Sequence, residues 1–314
     1  MVDTIRTWLP SELIKDSGYL ERVPTLLNNA KVISDRDTGE FLYTNGSILG
    51  MNVNISKAGI SLTGSICKSY LQDNFKTLTR QDTERAIEQL ECALNLPIQK
   101  ANLSRIDIAQ NFEVSQNPQS FFCFLGECRH YNRLTQPTSL YYQNTKRTKL
   151  FYNKKLEGKD KGLLMPPIWQ NKHILRYELR YTSRLPKQFN KCHVKVSELY
   201  NEIFYIDMID RWVNEYESIS KNNLIFNFMN TDQVKSPNDY INQLALLAIN
   251  QLGTDRIFAH IEQLKASETF KHKEYYSRLK ADIRRLSKTE VLTEKSPLIE
   301  ELDQKVRQVK EYYR

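Results

Sequence analysis

The sequence predicts an α+β protein, with an antiparallel sheet backed by helices and then a C-terminal region that is entirely helical. Apolar and polar residues alternate through much of the first two-thirds of the chain, most clearly in residues 173–182, which is typical of half-buried strands. After about residue 221, apolar residues recur at helical spacing instead. We therefore expect two domains, at residues 1–220 and 221–314.

The first strands are expected before residue 65. Residues 48–55 and 59–62 have the composition of extended segments. The pair Asn45-Gly46 favours a hairpin between flanking strands, and Gly50 suits a bend. This part of the chain is therefore expected to consist of strands joined by tight turns.

Four further strands are expected downstream. Residues 103–112 and 173–182 alternate in polarity, and residues 139–143 and 149–154 flank the polar stretch 144–148. Such a polar stretch between two strands predicts a hairpin.

Helices are expected where apolar residues recur at intervals of three and four. The clearest is residues 79–96, because Thr79 can cap it together with Asp82, and Pro97 ends it. The other predicted helices are residues 118–125, 196–218, 237–252, 254–266, 271–287 and 297–314, with a linker at 221–234.

Composition favours a nucleic-acid partner. Apolar residues make up 40% of the 314 residues, which is enough for a sizeable core, and the net charge is +8. A basic protein of this size most often meets a polyanion. There are 17 tyrosines, several of them beside Lys or Arg, and such mixtures suit stacking on bases.

The sequence argues against several other classes. Its five cysteines include no CxxC pair, so neither a disulfide framework nor a structural zinc site is expected. The first residues lack the layout of a signal peptide, and no apolar run reaches the ~18 residues of a membrane span. We therefore expect a cytoplasmic protein with no membrane partner.

Three predicted strands carry unusually polar faces, since alternate residues of a strand share one face. The faces hold Arg105 with Asp107, Tyr152 with Lys154, and Arg176 with Glu178 and Arg180. If these strands are neighbours, two carboxylates, a tyrosine and several cations converge on one surface. Metal-assisted attack on a phosphodiester by a tyrosine hydroxyl requires such a surface.

Each carboxylate has two interpretations. Asp107 lies between Ile106 and Ile108, where a nuclease often places a ligand for Mg²⁺ or Mn²⁺. An ion pair with Arg105 on an exposed strand is the alternative. Glu178, which lies between two arginines on its face, is either a second metal ligand or part of a salt-bridged strand face.

Tyr152 is the candidate nucleophile. A tyrosine hydroxyl has an ordinary pKa near 10 and attacks poorly at neutral pH. Lys154 on the same face could lower that pKa and neutralise the pentavalent phosphorane, and Glu157 is a candidate supporting residue beyond the strand. The alternative is a packing tyrosine, the commoner fate of this residue type.

The candidate DNA contacts are cations on or beside these strands. They are Arg105, Arg176, Arg180, Lys146, Arg147 and Lys149. Phosphate contacts of this kind hold a strand in place without reading its sequence. The last three belong to a basic hairpin, for which solvated turn charge is the alternative.

Three motifs occur in order along the chain, namely SRID at residues 104–107, YNKKLE at 152–157 and LRYELR at 175–180. Together they resemble motifs of the replication initiators of filamentous phages, the gene II/gene X family. They are also similar to those of the rolling-circle plasmid initiators that carry a Rep-trans domain. The resemblance covers about residues 30–215.

The resemblance implies site-specific nicking of one DNA strand by a nuclease domain. Tyr152 would attack and keep the 5′-phosphate covalently, while Asp107 and Glu178 would hold Mg²⁺ or Mn²⁺. Lys154 and Glu157 also match the family motif. The freed 3′-hydroxyl would prime a host polymerase, and a second transfer would rejoin the displaced strand as a circle. Expected partners are origin DNA, single-stranded or as melted duplex, with host polymerase and helicase.

Other functions fit parts of the sequence. A non-enzymatic origin-binding initiator would explain the charge but not the polar strand faces. A mobilisation relaxase or transposase-like tyrosine nuclease would use nearly the same chemistry. An RNA-binding sheet protein would need an aromatic motif that the sequence lacks. The basic stretch 271–288 predicts that the C-terminal region binds duplex DNA, with a solvated helix face or a homodimer contact as alternatives.

Overall fold

The structure, a computed structural model, describes residues 1–222, 235–287 and 296–313. It confirms the predicted α+β class. The chain forms two compact units, the first made of Met1–Phe122, Glu127–Ile219 and Leu302–Arg314, the second of Cys123–Gly126 and Ser220–Glu301. This division differs from the predicted boundary at residue 220, because the end of the chain belongs to the first unit.

Ten strands of the described chain form one sheet, in the order β2-β3-β4-β5-β1-β6-β11-β10-β9-β8, and two short strands form another. The strands are β1 (Val2–Pro10), β2 (Asn28–Ser34), β3 (Phe41–Ile48), β4 (Met51–Ser56), β5 (Gly59–Ser65), β6 (Asn102–Val114), β7 (Leu125–Cys128), β8 (Asn132–Gln136), β9 (Ser139–Gln143), β10 (Arg147–Asn153), β11 (His173–Tyr181) and β12 (Ile219–Lys221). All nine neighbouring pairs in the large sheet are antiparallel.

The longer helices agree with the sequence pattern, whereas four short helices, at residues 19–25, 66–71, 154–160 and 185–188, were not predicted. The helices are α1 (Tyr19–Thr25), α2 (Ile66–Leu71), α3 (Arg80–Leu94), α4 (Gln119–Phe122), α5 (Lys154–Asp160), α6 (Leu185–Gln188), α7 (Glu202–Glu217), α8 (Pro237–Leu252), α9 (Thr254–Ala266), α10 (Glu274–Ser287) and α11 (Pro297–Tyr313). Thr79 and Asp82 form the predicted capping box at the start of α3, which satisfies two backbone N–H groups of the helix end. Of the predicted linker 221–234, residues 223–234 lie outside the described residues.

The predicted hairpin at Asn45-Gly46 is wrong, because both residues lie inside β3. The chain turns instead at Leu49 and Gly50, which have φ angles of 49° and 74°. Gly46 has a packing role, since a Cβ there would lie 2.8 Å from the Leu27 Cβ. The glycine that suggested a turn therefore allows close packing against a neighbouring segment.

Two other predicted elements have different bounds in the structure. β10 stops at Asn153, whose side-chain oxygen accepts hydrogen bonds from the backbone of Lys155 and Leu156 and so caps α5. Lys154 is therefore the first residue of a helix and not a strand residue. The predicted helix at residues 196–218 divides into a 3₁₀ turn, Val196–Tyr200, and α7, with Asn201 capping the latter.

An aromatic stack fixes the central strands from behind. Phe151 of β10 lies parallel to Tyr177 of β11 with 4.4 Å between ring centroids, and Tyr177 contacts Trp212 of α7 at 4.7 Å. Such pairs add about 0.5–1.5 kcal/mol each beyond the burial of their area. Because neighbouring residues in a strand point to opposite faces, this stack turns Tyr152 and Glu178 toward the other side of the sheet.

The second unit has a small core of its own. Its buried residues are Ile249, Ile261, Tyr276 and Ile283. They come from α8, α9 and α10, and Ser236 caps α8 by accepting a hydrogen bond from the Asp239 backbone. The predicted start of this helix is therefore confirmed.

Candidate active site

The three strands that carry the motifs are neighbours in the sheet, in the order β6-β11-β10. The register places Arg180 opposite Asp107 and Tyr152 opposite Arg176. Directly opposite residues of antiparallel strands share a face. The polar faces predicted from alternation therefore form one continuous surface.

A cleft of about 570 Å³ lies over this surface. The side chains that line it include Asp3, Arg105, Asp107, Tyr152, Glu178 and Arg180. Its chemistry is largely polar and charged, so it suits a charged ligand better than an apolar one.

Asp107 is held by two arginines. Its carboxylate accepts hydrogen bonds from Arg105 at 2.8 and 2.6 Å, and Arg180 lies 3.7 Å away. The side chain of Asp107 is 3% exposed. Burial raises the pKa of this carboxyl, and the two arginines offset only part of that rise.

Glu178 is the centre of the hydrogen-bond network. One carboxylate oxygen accepts from Arg176 at 2.7 Å and from the Tyr152 hydroxyl at 2.8 Å, while the other accepts from Arg180 at 2.7 Å. Burial alone would raise the pKa of Glu178, but the two guanidinium groups outweigh burial and lower it to about 2. Glu178 is therefore an ionised carboxylate at neutral pH.

The Tyr152 hydroxyl donates a hydrogen bond directly to the Glu178 carboxylate. Burial and the negative charge of Glu178 raise the pKa of Tyr152 well above 10, although Arg176 opposes them. The hydroxyl is thus protonated in this arrangement, but it is already bonded to a carboxylate. A nucleophile and a base within hydrogen-bond reach are the usual signature of covalent catalysis.

Lys154 does not contact the Tyr152 hydroxyl in the way the sequence suggested. Its ammonium group lies 6.0 Å from the centre of the tyrosine ring and is bonded to Asn74 at 2.8 Å and to Glu157 at 2.7 Å. It is fully buried, and burial followed by the charge of Arg176 lowers its pKa. Glu157 lines the cleft from α5, so the helix that follows β10 returns it to the site.

Five of the six candidate DNA contacts fall into two groups. Arg105 and Arg180 line the cleft, each with a side chain 29% exposed, and Lys146 is exposed at the turn between β9 and β10. Arg176 and Lys149 are fully buried. They are placed to organise the protein interior and do not face solvent.

Arg147 and Lys149 contact a carboxylate of α7 whose side chain is 13% exposed. Both pair with Glu215, and Lys149 does so at 2.8 Å. Arg147 also donates to Gln188 at 2.6 Å. Of the basic hairpin, Lys146 is exposed and Lys149 is buried, while the Arg147 side chain is 26% exposed and paired with Glu215.

Two residues of the site carry no local signal in the sequence. Asp3 of β1 bonds to Arg176 at 2.6 Å and accepts from Ser65 at 2.5 Å. The Asn74 backbone oxygen accepts from Arg176 at 3.1 Å. Both come from segments far from the motifs, so only the folded sheet brings them to the cleft.

The metal site stays a prediction. Within the described part of the chain, no group of three His, Cys, Asp or Glu side chains could hold a metal ion. Proteins often hold Mg²⁺ through one or two carboxylates together with water and phosphate oxygens. Asp107 and Glu178 fit such an ion in donor type and charge, and Arg180 supplies the compensating charge between them here.

No helix in the described ranges combines the length and the apolar character needed to cross a membrane. A search of curated proteins found no match. Residues 30–215 match the family model for the N-terminal part of the phage gene II replication-associated protein, and this match spans more than half of the chain and all three motif strands. A family of phage replication initiators implies binding to DNA. On this match, the chain belongs to the gene II family of phage replication-associated proteins.

Proposed function

We propose that this protein nicks one strand of origin DNA through Tyr152, leaving a 5′-phosphotyrosine bond and a free 3′-hydroxyl primer. A second transfer then rejoins the displaced strand. One observation carries the proposal, namely that the Tyr152 hydroxyl is bonded to Glu178 at 2.8 Å in a cleft lined by arginines. Family membership supports the replication role.

The arginines explain how the resting site could become reactive. Arg105 and Arg180 are partly exposed and each holds a carboxylate. A DNA phosphate in the cleft would compete for them, because charge-assisted arginine–phosphate bonds are strong. Loss of Arg180 would free one oxygen of Glu178, while the other oxygen keeps its hydrogen bond to the Tyr152 hydroxyl.

The reaction needs no nucleotide cofactor, because the phosphotyrosine bond that forms replaces the phosphodiester bond that breaks. The Tyr152 hydroxyl gives its proton to Glu178, and its oxygen forms a bond to phosphorus. The bond from phosphorus to the 3′ oxygen breaks, and the same proton passes to that leaving oxygen. Lys154 is proposed to act by positioning Glu157 and Asn74 at the edge of the cleft, as its hydrogen bonds suggest.

We also propose that Asp107 and Glu178 bind Mg²⁺ or Mn²⁺ when DNA draws Arg180 away. A bound ion would act as a Lewis acid on the scissile phosphate. The free 3′-hydroxyl would serve a host polymerase, with a host helicase unwinding the duplex ahead of it.

The decisive experiment incubates the full chain with Mg²⁺ and labelled single-stranded oligonucleotides that tile the cognate origin, and detects covalent adduct on denaturing gels. We expect adduct with the natural chain and none with Tyr152→Phe. Tyr141→Phe is the matched control, because Tyr141 lines the same cleft and is not bonded to Glu178. Adduct that survives in Tyr152→Phe would overturn the assignment of the nucleophile.

The same assay tests the carboxylates and the competing functions. Asp107→Asn and Glu178→Gln are expected to lower cleavage by at least ~100-fold, the low end of general acid–base contributions. Undiminished cleavage in both variants would overturn the assignment of Asp107 and Glu178 as metal ligands. A non-enzymatic initiator would give origin binding without adduct in any metal, and a mobilisation enzyme would give adduct but no origin-dependent replication.

A further inference from the structure

A second concave site lies next to the catalytic cleft in the first unit. It has a volume of about 540 Å³. Asn74 lines the cleft while the next residue, Phe75, lines this second site. We call it the aromatic pocket and define it by Phe75, Trp169, Tyr312, Lys76 and Lys305, which are among its lining residues.

Five aromatic residues are among those that line this pocket. Phe75 is nearly buried and meets the edge of Trp169, with 5.1 Å between centroids and planes at 79°. Tyr312 is 73% exposed and packs edge-on against Tyr313 at 4.8 Å. The aromatic surface is thus anchored at one end and open to solvent at the other.

Hydrogen bonds anchor the aromatic surface to the sheet. The Tyr313 hydroxyl shares a hydrogen bond of 2.6 Å with Thr77, and Thr77 in turn donates to Gln110 at 3.0 Å. The Asn111 amide donates to the backbone oxygens of Asn74 and Phe75 at 3.0 and 2.9 Å. These bonds hold the segment between cleft and pocket in one position.

The charges at the pocket favour an anionic ligand. Lys76 is exposed and lies among the lining residues. The acidic side chain in the lining, Glu113, is paired with Lys172 at 2.7 Å. Aromatic faces beside lysines are what proteins use to stack bases of single-stranded nucleic acid while neutralising its phosphates.

We propose that the aromatic pocket binds an unpaired base of the DNA strand that lies in the catalytic cleft, a few nucleotides from the scissile phosphate. The proposal rests on the nicking function proposed above. It also has a geometric basis, because the Lys154 ammonium lies 6.0 Å from the centre of the Tyr152 ring and 5.7 Å from the centre of the Phe75 ring. The two rings are therefore at most about 12 Å apart, a distance that a few nucleotides of one strand can span.

A base held there would fix the register of the strand over Tyr152. Backbone contacts alone allow a single strand to slide, because they carry no sequence information. One stacked base limits that freedom and also favours an origin that is already melted. The aromatic pocket would thus select single-stranded over duplex DNA.

The test measures binding of fluorescein-labelled dT₂₀ to the full chain by anisotropy over a salt series. Trp169→Ala and Tyr312→Ala are each expected to weaken binding by ~5- to ~150-fold, the effect of losing one base stack. Their salt slope should not change. Lys76→Gln should instead reduce the slope by about 0.7, the value for one phosphate of a single strand.

Controls separate stacking from a general loss of structure. Trp8→Ala removes a partly exposed tryptophan outside the pocket and should bind normally, whereas Trp169→Phe should recover much of the affinity. A 20-nucleotide abasic strand should bind the natural chain and Trp169→Ala alike. Because Tyr312 is largely exposed, Tyr312→Ala is informative even if Trp169→Ala fails to fold.

The outcomes also distinguish this proposal from the nicking function. If adduct forms normally but both aromatic variants bind dT₂₀ as well as the natural chain, the base-binding proposal is overturned. If no adduct ever forms yet the aromatic variants bind weakly, the pocket stands and the nicking function falls. Equal losses on dT₂₀ and the abasic strand would also overturn the proposal, because they would mark a structural defect.

Discussion

At the scale of single residues, the site is organised by arginines that occupy its carboxylates. Arg180 bonds to Glu178 at 2.7 Å and approaches Asp107 at 3.7 Å, so one guanidinium serves both acids. Arg176, which is buried, joins the same network by pairing with both Asp3 and Glu178. Two arginines of one strand thus have different roles. The buried one sets the geometry, and the partly exposed one is the arginine that we propose exchanges a carboxylate for a phosphate.

A second charged cluster, Glu215 with Lys149 and Arg147, should make the stability of the fold depend on pH. Burial raises the pKa of Glu215, but Lys149 and then Arg147 outweigh it and hold the pKa below its ordinary value. Because the folded-state pKa is lower than the unfolded one, the cluster stabilises the fold above about pH 4.3. That stabilisation is lost as pH falls from there through the folded-state pKa.

Glu215→Gln is therefore expected to lower the free energy of unfolding at pH 7 by about 3–5 kcal/mol, since it leaves the fully buried Lys149 ammonium without its carboxylate. The difference from the natural chain should shrink as pH falls below about 4.3. Urea unfolding at a series of pH values measures this. Glu217→Gln, an exposed position on the same helix, should have no comparable effect, and a pH-independent difference would contradict the account.

At the scale of elements, the junction between β10 and α5 sets the distance between the proposed nucleophile, Tyr152, and its neighbours. Tyr152 is on the strand, Lys154 and Glu157 are on the helix, and Asn153 caps the helix between them. The amide nitrogen of Asn153 also donates to Asn117 and Gln119 at 3.3 Å. One side chain therefore ends the strand, starts the helix and attaches both to the start of α4 and the loop before it.

Asn153→Ala should cost about 0.5–2 kcal/mol of stability through the lost cap, and should reduce adduct formation because Glu157 shifts with α5. Asn153→Ser keeps a capping oxygen and should retain most of both properties. Urea unfolding and the adduct assay measure the two effects side by side. An alanine variant with unchanged stability and activity would show that the cap does not position the site.

The sequence could predict the strands of the site better than its connections. Alternation alone placed Asp107 and Glu178 on polar faces, because a strand has a fixed period of two. It could not reveal that Lys149 points inward, since the partner of Lys149 is Glu215, far along the chain on α7. The Asn45-Gly46 pair misled for a similar reason, because the contact that requires Gly46 comes from Leu27. Local patterns specify periodicity, whereas long-range partners decide what each face meets.

At the scale of the whole molecule, the C-terminal region is divided between the two units. The basic stretch predicted to bind duplex DNA lies mainly on α10, where Lys280 pairs with Glu262, Arg285 pairs with Asp282 at 3.3 Å, and Arg284 lies over Phe258. Lys288 of that stretch is outside the described residues. Binding of duplex DNA by this helix stays a prediction, and intramolecular pairs already engage part of its charge.

The end of α11, in contrast, belongs to the first unit. Leu302 and Val306 are fully buried, and Asp303 accepts a hydrogen bond of 2.6 Å from Tyr216 of α7. A chain truncated after residue 221 would lose these contacts as well as the second unit. Weaker origin binding by such a truncation would therefore not show that the second unit binds DNA, because the fold of the first unit would also be destabilised.

Point substitutions resolve this ambiguity. Leu302→Ala is expected to lower the free energy of unfolding by about 2–5 kcal/mol, the cost of a large-to-small change in a packed core. Gln304→Ala, at an exposed position of the same helix, should change it little. Urea unfolding of the full chain measures both. If Leu302→Ala unfolds at the same urea concentration as the natural chain, α11 is dispensable to the first unit, and the truncation becomes a valid test of DNA binding by the second.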